Sequence, residues 1–155
     1  MSVFSITREI GIDAGHRVPL HGSKCRSLHG HRYTVQATCE GTLAEAGEQD
    51  GMVLDFGFLK DEMMVEIDTP CDHALILWCE DPLVGVLTGH EGCGKLYVLN
   101  STPTAENLAR HWFERLAPRV VARSEGNATL VNIRVFETPN CWADFGVTVK
   151  RLPAM

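Results

Sequence analysis

Of the seven histidines in this chain of 155 residues, four fall between Asp13 and Tyr33, in the run D-A-G-H-R-V-P-L-H-G-S-K-C-R-S-L-H-G-H-R-Y. His29 and His31 are separated by one glycine, so on an extended backbone both imidazoles project from the same face, as two ligands of one ion must. His16 follows what reads as a first strand, and a hairpin would bring it beside that pair. Three neutral imidazoles around zinc leave a fourth position open, which is the donor set of a catalytic centre rather than of a closed structural one. Cys25 lies close enough in sequence to sit next to such an ion, where its thiol would ionise more readily and serve as nucleophile or base. A competing arrangement makes Cys25 the fourth ligand, closing the site and leaving it only a structural task.

Further candidates are weaker by themselves. Asp72 and His73 are adjacent and suit a proton-relay pair, with the carboxylate favouring the imidazolium, although adjacent Asp-His is more often a turn than a catalyst. Gly89 to Lys95 spells G-x-x-x-x-G-K, the pattern of a phosphate loop. It fails as one because Leu96 stands where a magnesium-binding hydroxyl belongs, and Leu96 to Leu99 looks extended instead of opening a helix. It reads as a flexible surface loop, and His21, His90 and His111 receive no role.

The net charge of −6 and pI near 5.6 argue against a nucleic-acid-coating protein, which needs a basic face. From Ala14 to Cys39 there is no Asp or Glu, while Arg17, Lys24, Arg26 and Arg32 all fall there. Such a local positive field suits an anionic, phosphorylated ligand. No apolar run reaches the length of a membrane span, and the N-terminal segment lacks the pattern of a signal peptide, so a cytoplasmic protein is expected. The six cysteines, at 25, 39, 71, 79, 93 and 141, form no C-x-x-C pair and are expected to be reduced.

These residues must be positioned by a modest set of elements within a single domain, residues 1–155. Phe4 to Asp13 reads as a first strand. Arg32 to Gly41 is a second, with Tyr33, Val35, Ala37 and Cys39 on its buried side. Asp55 caps a helix whose Phe56, Leu59, Met63 and Ile67 share a face, ending at Asp68-Thr69-Pro70. Thr104 caps a second helix with the stripe Leu108, Trp112 and Leu116, ended by Pro118. Glu106 lies in its first turn, where the helix dipole alone explains a carboxylate. Thr129 to Glu137 and Ala143 to Lys150 read as the last two strands. The order is ββααββ: an α+β fold with an antiparallel four-stranded sheet and both helices on one face.

Six motifs in register resemble one family, the 6-pyruvoyltetrahydropterin and 6-carboxytetrahydropterin synthases. They are A-G-H at Ala14 to His16, C-R-S-L-H-G-H at Cys25 to His31, G-M-V-L-D-F at Gly51 to Phe56, D-H at Asp72 and His73, P-T-A-E-N at Pro103 to Asn107, and E-T-P-N-C-W at Glu137 to Trp142. The resemblance covers nearly the whole chain. It implies a tunnelling fold, assembled as a hexamer of two stacked trimers with active sites between subunits. It also implies zinc on His16, His29 and His31, Cys25 as the catalytic thiol, and Asp72 with His73 as the rest of the proton-transfer set. Glu137 would anchor the pterin, with Glu106 and Thr104 lining its pocket; Ala105 departs from the family's threonine and carries nothing over. The spacer of three residues between Cys25 and His29 resembles the bacterial carboxy branch. The implied substrate is 7,8-dihydroneopterin triphosphate and the implied products are 6-carboxy-5,6,7,8-tetrahydropterin, acetaldehyde and triphosphate, toward queuosine. Triphosphate elimination of the pyruvoyl type, or a zinc- and pterin-binding protein without turnover, are the alternatives.

Overall fold

The computed structural model describes residues 1–147. Strands β1 (Phe4–His16) and β2 (His29–Gly41) form a long antiparallel hairpin that runs from Phe4 opposite Gly41 to His16 opposite His29. Both strands extend further toward their connection than the apolar alternation indicated. The alternation stops at Ala14 on β1 and Tyr33 on β2 because histidines take over the inward positions beyond them, and imidazoles do not register as apolar.

Helix α1 (Phe56–Met63) begins where Asp55 accepts a hydrogen bond from the Gly57 amide at 2.6 Å. The helical path then continues through a wider π turn (Met64–Asp68) and a last turn, α2 (Thr69–Cys71). Pro70 was expected to end the helix and does not. It sits at the start of a new turn after the register has widened, where its missing N–H leaves no bond unmade. Strand β3 (Leu75–Trp78), a short helix α3 (Leu83–Leu87) and strand β4 (Leu96–Leu99) follow. Helix α4 (Ala105–Arg123) is capped by the Thr104 hydroxyl, which accepts from the Asn107 amide at 3.2 Å. It passes through Pro118, which was also expected to stop it. Pro118 and Glu114, whose carbonyl the proline leaves without its helical partner, both lie on the exposed side, where the missing bond costs least. Strands β5 (Ala128–Thr138) and β6 (Cys141–Gly146) complete the fold. The expected continuation of the last strand over 148–150 lies outside the described residues.

The sheet is therefore six-stranded and mixed, in the order β4-β3-β1-β2-β5-β6, with β3 parallel to both β1 and β4. This corrects the four-stranded antiparallel sheet and the ββααββ order. Leu-Ile-Leu-Trp and Leu-Tyr-Val-Leu are four-residue apolar runs, too short to show a period and identical in composition to a piece of buried helix. Gly15 lets β3 approach β1, since a Cβ there would lie 2.7 Å from the Leu75 side chain.

The helices cover one face, as expected. Ile10, Ile12, Tyr33, Val35 and Ala37 from the sheet pack with Leu59, Met63, Leu108, Trp112 and Leu116 in one buried cluster. The outer face carries polar cross-strand pairs, including Gln36 to Glu9 at 2.8 Å and Arg32 to Asp13 at 3.0 Å.

Candidate functional site

The hairpin register does the first part of the assembly. His16 lies directly opposite His29, and His31 opposite Ala14. Opposed residues of an antiparallel pair share a face, as do residues two apart on one strand, so all three imidazoles lie on the helix-covered face. Their ring centroids are 4.5 to 5.0 Å apart, and one ligand nitrogen from each falls within 4.8 Å of the others.

The hydrogen bonds decide the tautomers. His16 Nδ1 lies 2.7 Å from the Pro103 carbonyl and His29 Nδ1 lies 2.7 Å from the Ser27 carbonyl. A carbonyl can only accept, so both Nδ1 atoms carry the proton and, in the neutral rings, both Nε2 atoms present bare lone pairs. Those Nε2 atoms face one another at 3.1 Å. His31 Nε2 is also buried, with no hydrogen-bond partner. Burial pushes the His16 imidazole down to about 4, and burial likewise lowers His31 against the opposing pull of Glu137. Three imidazoles with ligand nitrogens turned toward one point are what a divalent cation requires. Around tetrahedral zinc, nitrogens bound at about 2.0–2.1 Å sit roughly 3.3 Å apart, close to the spacing of His16 and His29. The carbonyls on the two Nδ1 atoms are the outer partners that metal-binding histidines use to fix tautomer and ring orientation. The residues present fit the ion.

Glu137 closes one side, its carboxylate 4.0 Å from His16 Nε2 and 3.9 Å from His31 Nε2. Cys25 lies in a single 3₁₀ turn, Lys24–Arg26, and its carbonyl accepts from the Val18 amide at 2.8 Å. It lines a cavity of about 210 Å³ with His16, His29, Thr104, Glu106 and Glu137. Among the described residues the cluster that could hold a metal consists of these three histidines and contains no cysteine.

Asp72 and His73 are not in that cavity. They pair with each other, Asp72 Oδ2 lying 2.8 Å from His73 Nδ1, while Asp72 Oδ1 accepts from the Asp13 amide at 2.9 Å. The Asp13 amide and then the His73 ring hold the Asp72 carboxyl below its ordinary range. His73 lines a second cavity of about 490 Å³, which His31 also lines.

The basic stretch divides. Asp81, its side chain fully buried, receives two hydrogen bonds from Arg17, at 2.7 and 2.5 Å, and Arg32 is paired with Asp13. Among the described residues only Lys24 and Arg26 of the four are without an acidic partner. The three histidines left without a role take local ones: His111 meets the Tyr97 hydroxyl at 2.6 Å, and His21 and His90 each accept a nearby amide at 3.0 Å.

Sequence reasoning treated Tyr33 only as a core residue. It stands edge-on to His16 and His31, with ring centroids 5.8 and 5.4 Å away, its buried hydroxyl has no hydrogen-bond partner, and burial beside Glu137 pushes its pKa upward. Its place two residues after His31, on the same face, was the available signal. Cys141 and Trp142 also line the Cys25 cavity.

Comparison with known proteins agrees with this geometry. The family described as 6-pyruvoyl tetrahydropterin synthase matches residues 5–147. A 6-carboxy-5,6,7,8-tetrahydropterin synthase from Rickettsia bellii is 41% identical over 139 residues, covering 89% of this chain and 96% of that protein. One of the same name from Haemophilus influenzae is 31% identical, covering 92% and 99%. Among solved structures, an uncharacterised Wolinella succinogenes protein superposes with a TM-score of 0.79 at 24% identity, over 94% of this chain and 99% of that one. The 6-pyruvoyl tetrahydropterin synthase of Caenorhabditis elegans gives 0.66 at 23%, over 96% and 98%. With that match spanning nearly every described residue, the chain belongs to the 6-pyruvoyl tetrahydropterin synthase family of enzymes.

Proposed function

We propose that this chain is a zinc-dependent lyase that converts 7,8-dihydroneopterin triphosphate and water to 6-carboxy-5,6,7,8-tetrahydropterin, acetaldehyde and triphosphate, an early step toward queuosine and related deazaguanines, in the cytoplasm. The observation that carries the reading is a cluster of three imidazoles placed to share one ion, two of which, His16 and His29, line a cavity that also holds a thiol and a carboxylate. The relatives named for that product, at 31 to 41% identity, support the carboxy reaction.

His16, His29 and His31 would hold the zinc, which supplies Lewis acidity that makes the hydroxyls and adjoining C–H bonds of the substrate tail easier to deprotonate. Cys25 takes a proton from the tail as thiolate. Glu137 accepts two hydrogen bonds from the amino-pyrimidine edge of the pterin, as a carboxylate does from a guanidinium, and Glu106 and Thr104 wall the same pocket. His73, oriented through Nδ1 by Asp72, exchanges a proton on the opposite face of the substrate. Because that pair lies outside the Cys25 cavity of its own chain, a neighbouring subunit of a hexamer supplies it, each subunit being one domain.

The test is direct. Zinc-loaded protein incubated with dihydroneopterin triphosphate, with no nicotinamide or flavin added, should release acetaldehyde and the carboxypterin, identified by mass. A pyruvoyl product with the side chain intact would transfer the chain to the pyruvoyl branch, and no turnover at all would leave a pterin-binding protein.

A further inference from the structure

The helical path that starts at Phe56 ends at Cys71, and the last carbonyls of a helix have no partner within it. Proteins commonly resolve this with a glycine in the left-handed conformation just beyond the cap. Here that position belongs to His73, with φ of 59°. A side chain in this region costs about 1 kcal/mol or more and persists only where its surroundings impose it.

Two sets of contacts impose it. On one side the His73 amide donates to the Asp13 carbonyl at 2.6 Å and the Ala74 amide to the Cys71 carbonyl at 3.0 Å. On the other stands Lys95. Its ammonium donates to the Thr69 and Asp72 carbonyls, each at 2.7 Å, while its own carbonyl accepts from the Leu75 amide at 3.0 Å. Lys95 thus holds the chain on both sides of His73, at Thr69 and Asp72 before it and at Leu75 after it. The Asp72 carboxylate is fixed by the Asp13 amide and the His73 ring, which leaves His73 Nε2 as the ring nitrogen with no protein partner among the described residues. The cavity it lines is also bounded by His31, Arg32, Cys93 and Lys95 itself, with Asp13 at its edge.

We infer that Lys95 is a positioning residue for the Asp72–His73 pair: its ammonium fixes the two carbonyls that set the left-handed corner and thereby aims the imidazole into the cavity. The inference rests on the proposed proton-transfer role of that pair. It also gives a task to the Gly89 to Lys95 run, whose spelling suggested phosphate binding. The ordinary alternative is that a lysine at a helix C-terminus only stabilises the helix.

The experiment compares Lys95→Met, Lys95→Arg and His73→Ala as full-length, zinc-loaded proteins, by steady-state kinetics on dihydroneopterin triphosphate and by amide hydrogen exchange. Lys95→Met should lower kcat about tenfold or more, since misplacing a catalytic group by an ångström costs that much or more, with KM changed less than about twofold. Lys95→Arg, whose guanidinium still offers donors to both carbonyls, should recover most of kcat. Amides of residues 72–75 should exchange faster in Lys95→Met while those of 29–41 keep their rates. A Lys95→Met protein with a lowered Tm and unchanged kcat, beside an inactive His73→Ala, overturns the inference alone and leaves a helix cap. Equal losses in the Met and Arg variants with a raised KM overturn it in favour of direct substrate contact. A fully active His73→Ala overturns the reading of the pair and this inference with it. If Lys95→Met does not fold, Lys95→Gln carries the same comparison.

Discussion

Single atoms at this site already constrain what can occupy it. Two imidazole Nε2 atoms whose partner Nδ1 protons are engaged by carbonyls repel one another at 3.1 Å unless a cation lies between them. His29→Ala should therefore weaken zinc binding by more than about a hundredfold, read by metal analysis after dialysis against a weak chelator, given that even outer partners of such ligands are worth ten- to a hundredfold. Cys25→Ala should retain one zinc per chain and lose turnover; loss of zinc would make Cys25 a closing ligand. Metal binding only the folded state should stabilise it by about 2.7 kcal/mol at zinc a hundredfold above its Kd, so chelation should lower Tm by several degrees and added zinc restore it. Glu137→Gln should leave zinc in place and raise KM about ten- to a hundredfold, the worth of a charge-assisted hydrogen bond of roughly 1.5–3 kcal/mol.

Elements are tied to one another by a few polar contacts whose loss can be read as stability. Arg17, one residue after a histidine of the cluster, reaches the buried Asp81 between β3 and α3 with both ends of its guanidinium. Its hydrogen bonds hold the Asp81 carboxyl below the usual carboxylate range. A group so depressed contributes stability at neutral pH that disappears as pH falls through its folded-state value. Asp81→Ala should thus cost about 1.5–3 kcal/mol at neutral pH, the worth of hydrogen bonds between charged groups, and thermal melts should show the difference from wild type shrinking in acid. Pro118 offers the opposite case. On the exposed side of α4, Pro118→Ala restores an N–H to the Glu114 carbonyl and should raise Tm, by less than the roughly 3 kcal/mol of an interior proline because the unfolded chain gains freedom.

At the scale of the molecule, among the described residues the sheet ends at β4 and β6, and Phe4, Met52, Phe56 and Trp142 are exposed. Strand edges and exposed apolar side chains are features that proteins cover, most simply with further copies of themselves. The separation of Cys25 and His73 into two cavities adds a functional reason for assembly. Sedimentation equilibrium should give six copies of 17.1 kDa, about 103 kDa. A stable monomer with full activity would require one chain to bring both cavities to one substrate, contrary to the proposed division between subunits.

The amino-acid sequence alone determined what depends on local spacing. His29-Gly30-His31 share a face because a strand repeats every two residues; Asp55 and Thr104 begin helices because their side chains accept amide protons within one turn. The buried side of β2 and the family motifs are of the same kind. Tertiary structure decided what depends on contacts distant in the chain. Strands β3 and β4 are too short to carry a period and exist because β1 pairs with β3 and β3 with β4. Pro70 and Pro118 lie inside helical paths because the one follows a widened turn and the other lies on the exposed side of its helix. Arg17 and Arg32 lost their apparent role in a basic patch to Asp81 and Asp13, 64 and 19 residues away in sequence. Which imidazole nitrogen is bare was settled at Pro103, 87 residues from His16, a distance over which no sequence pattern acts and only folding brings donor to acceptor.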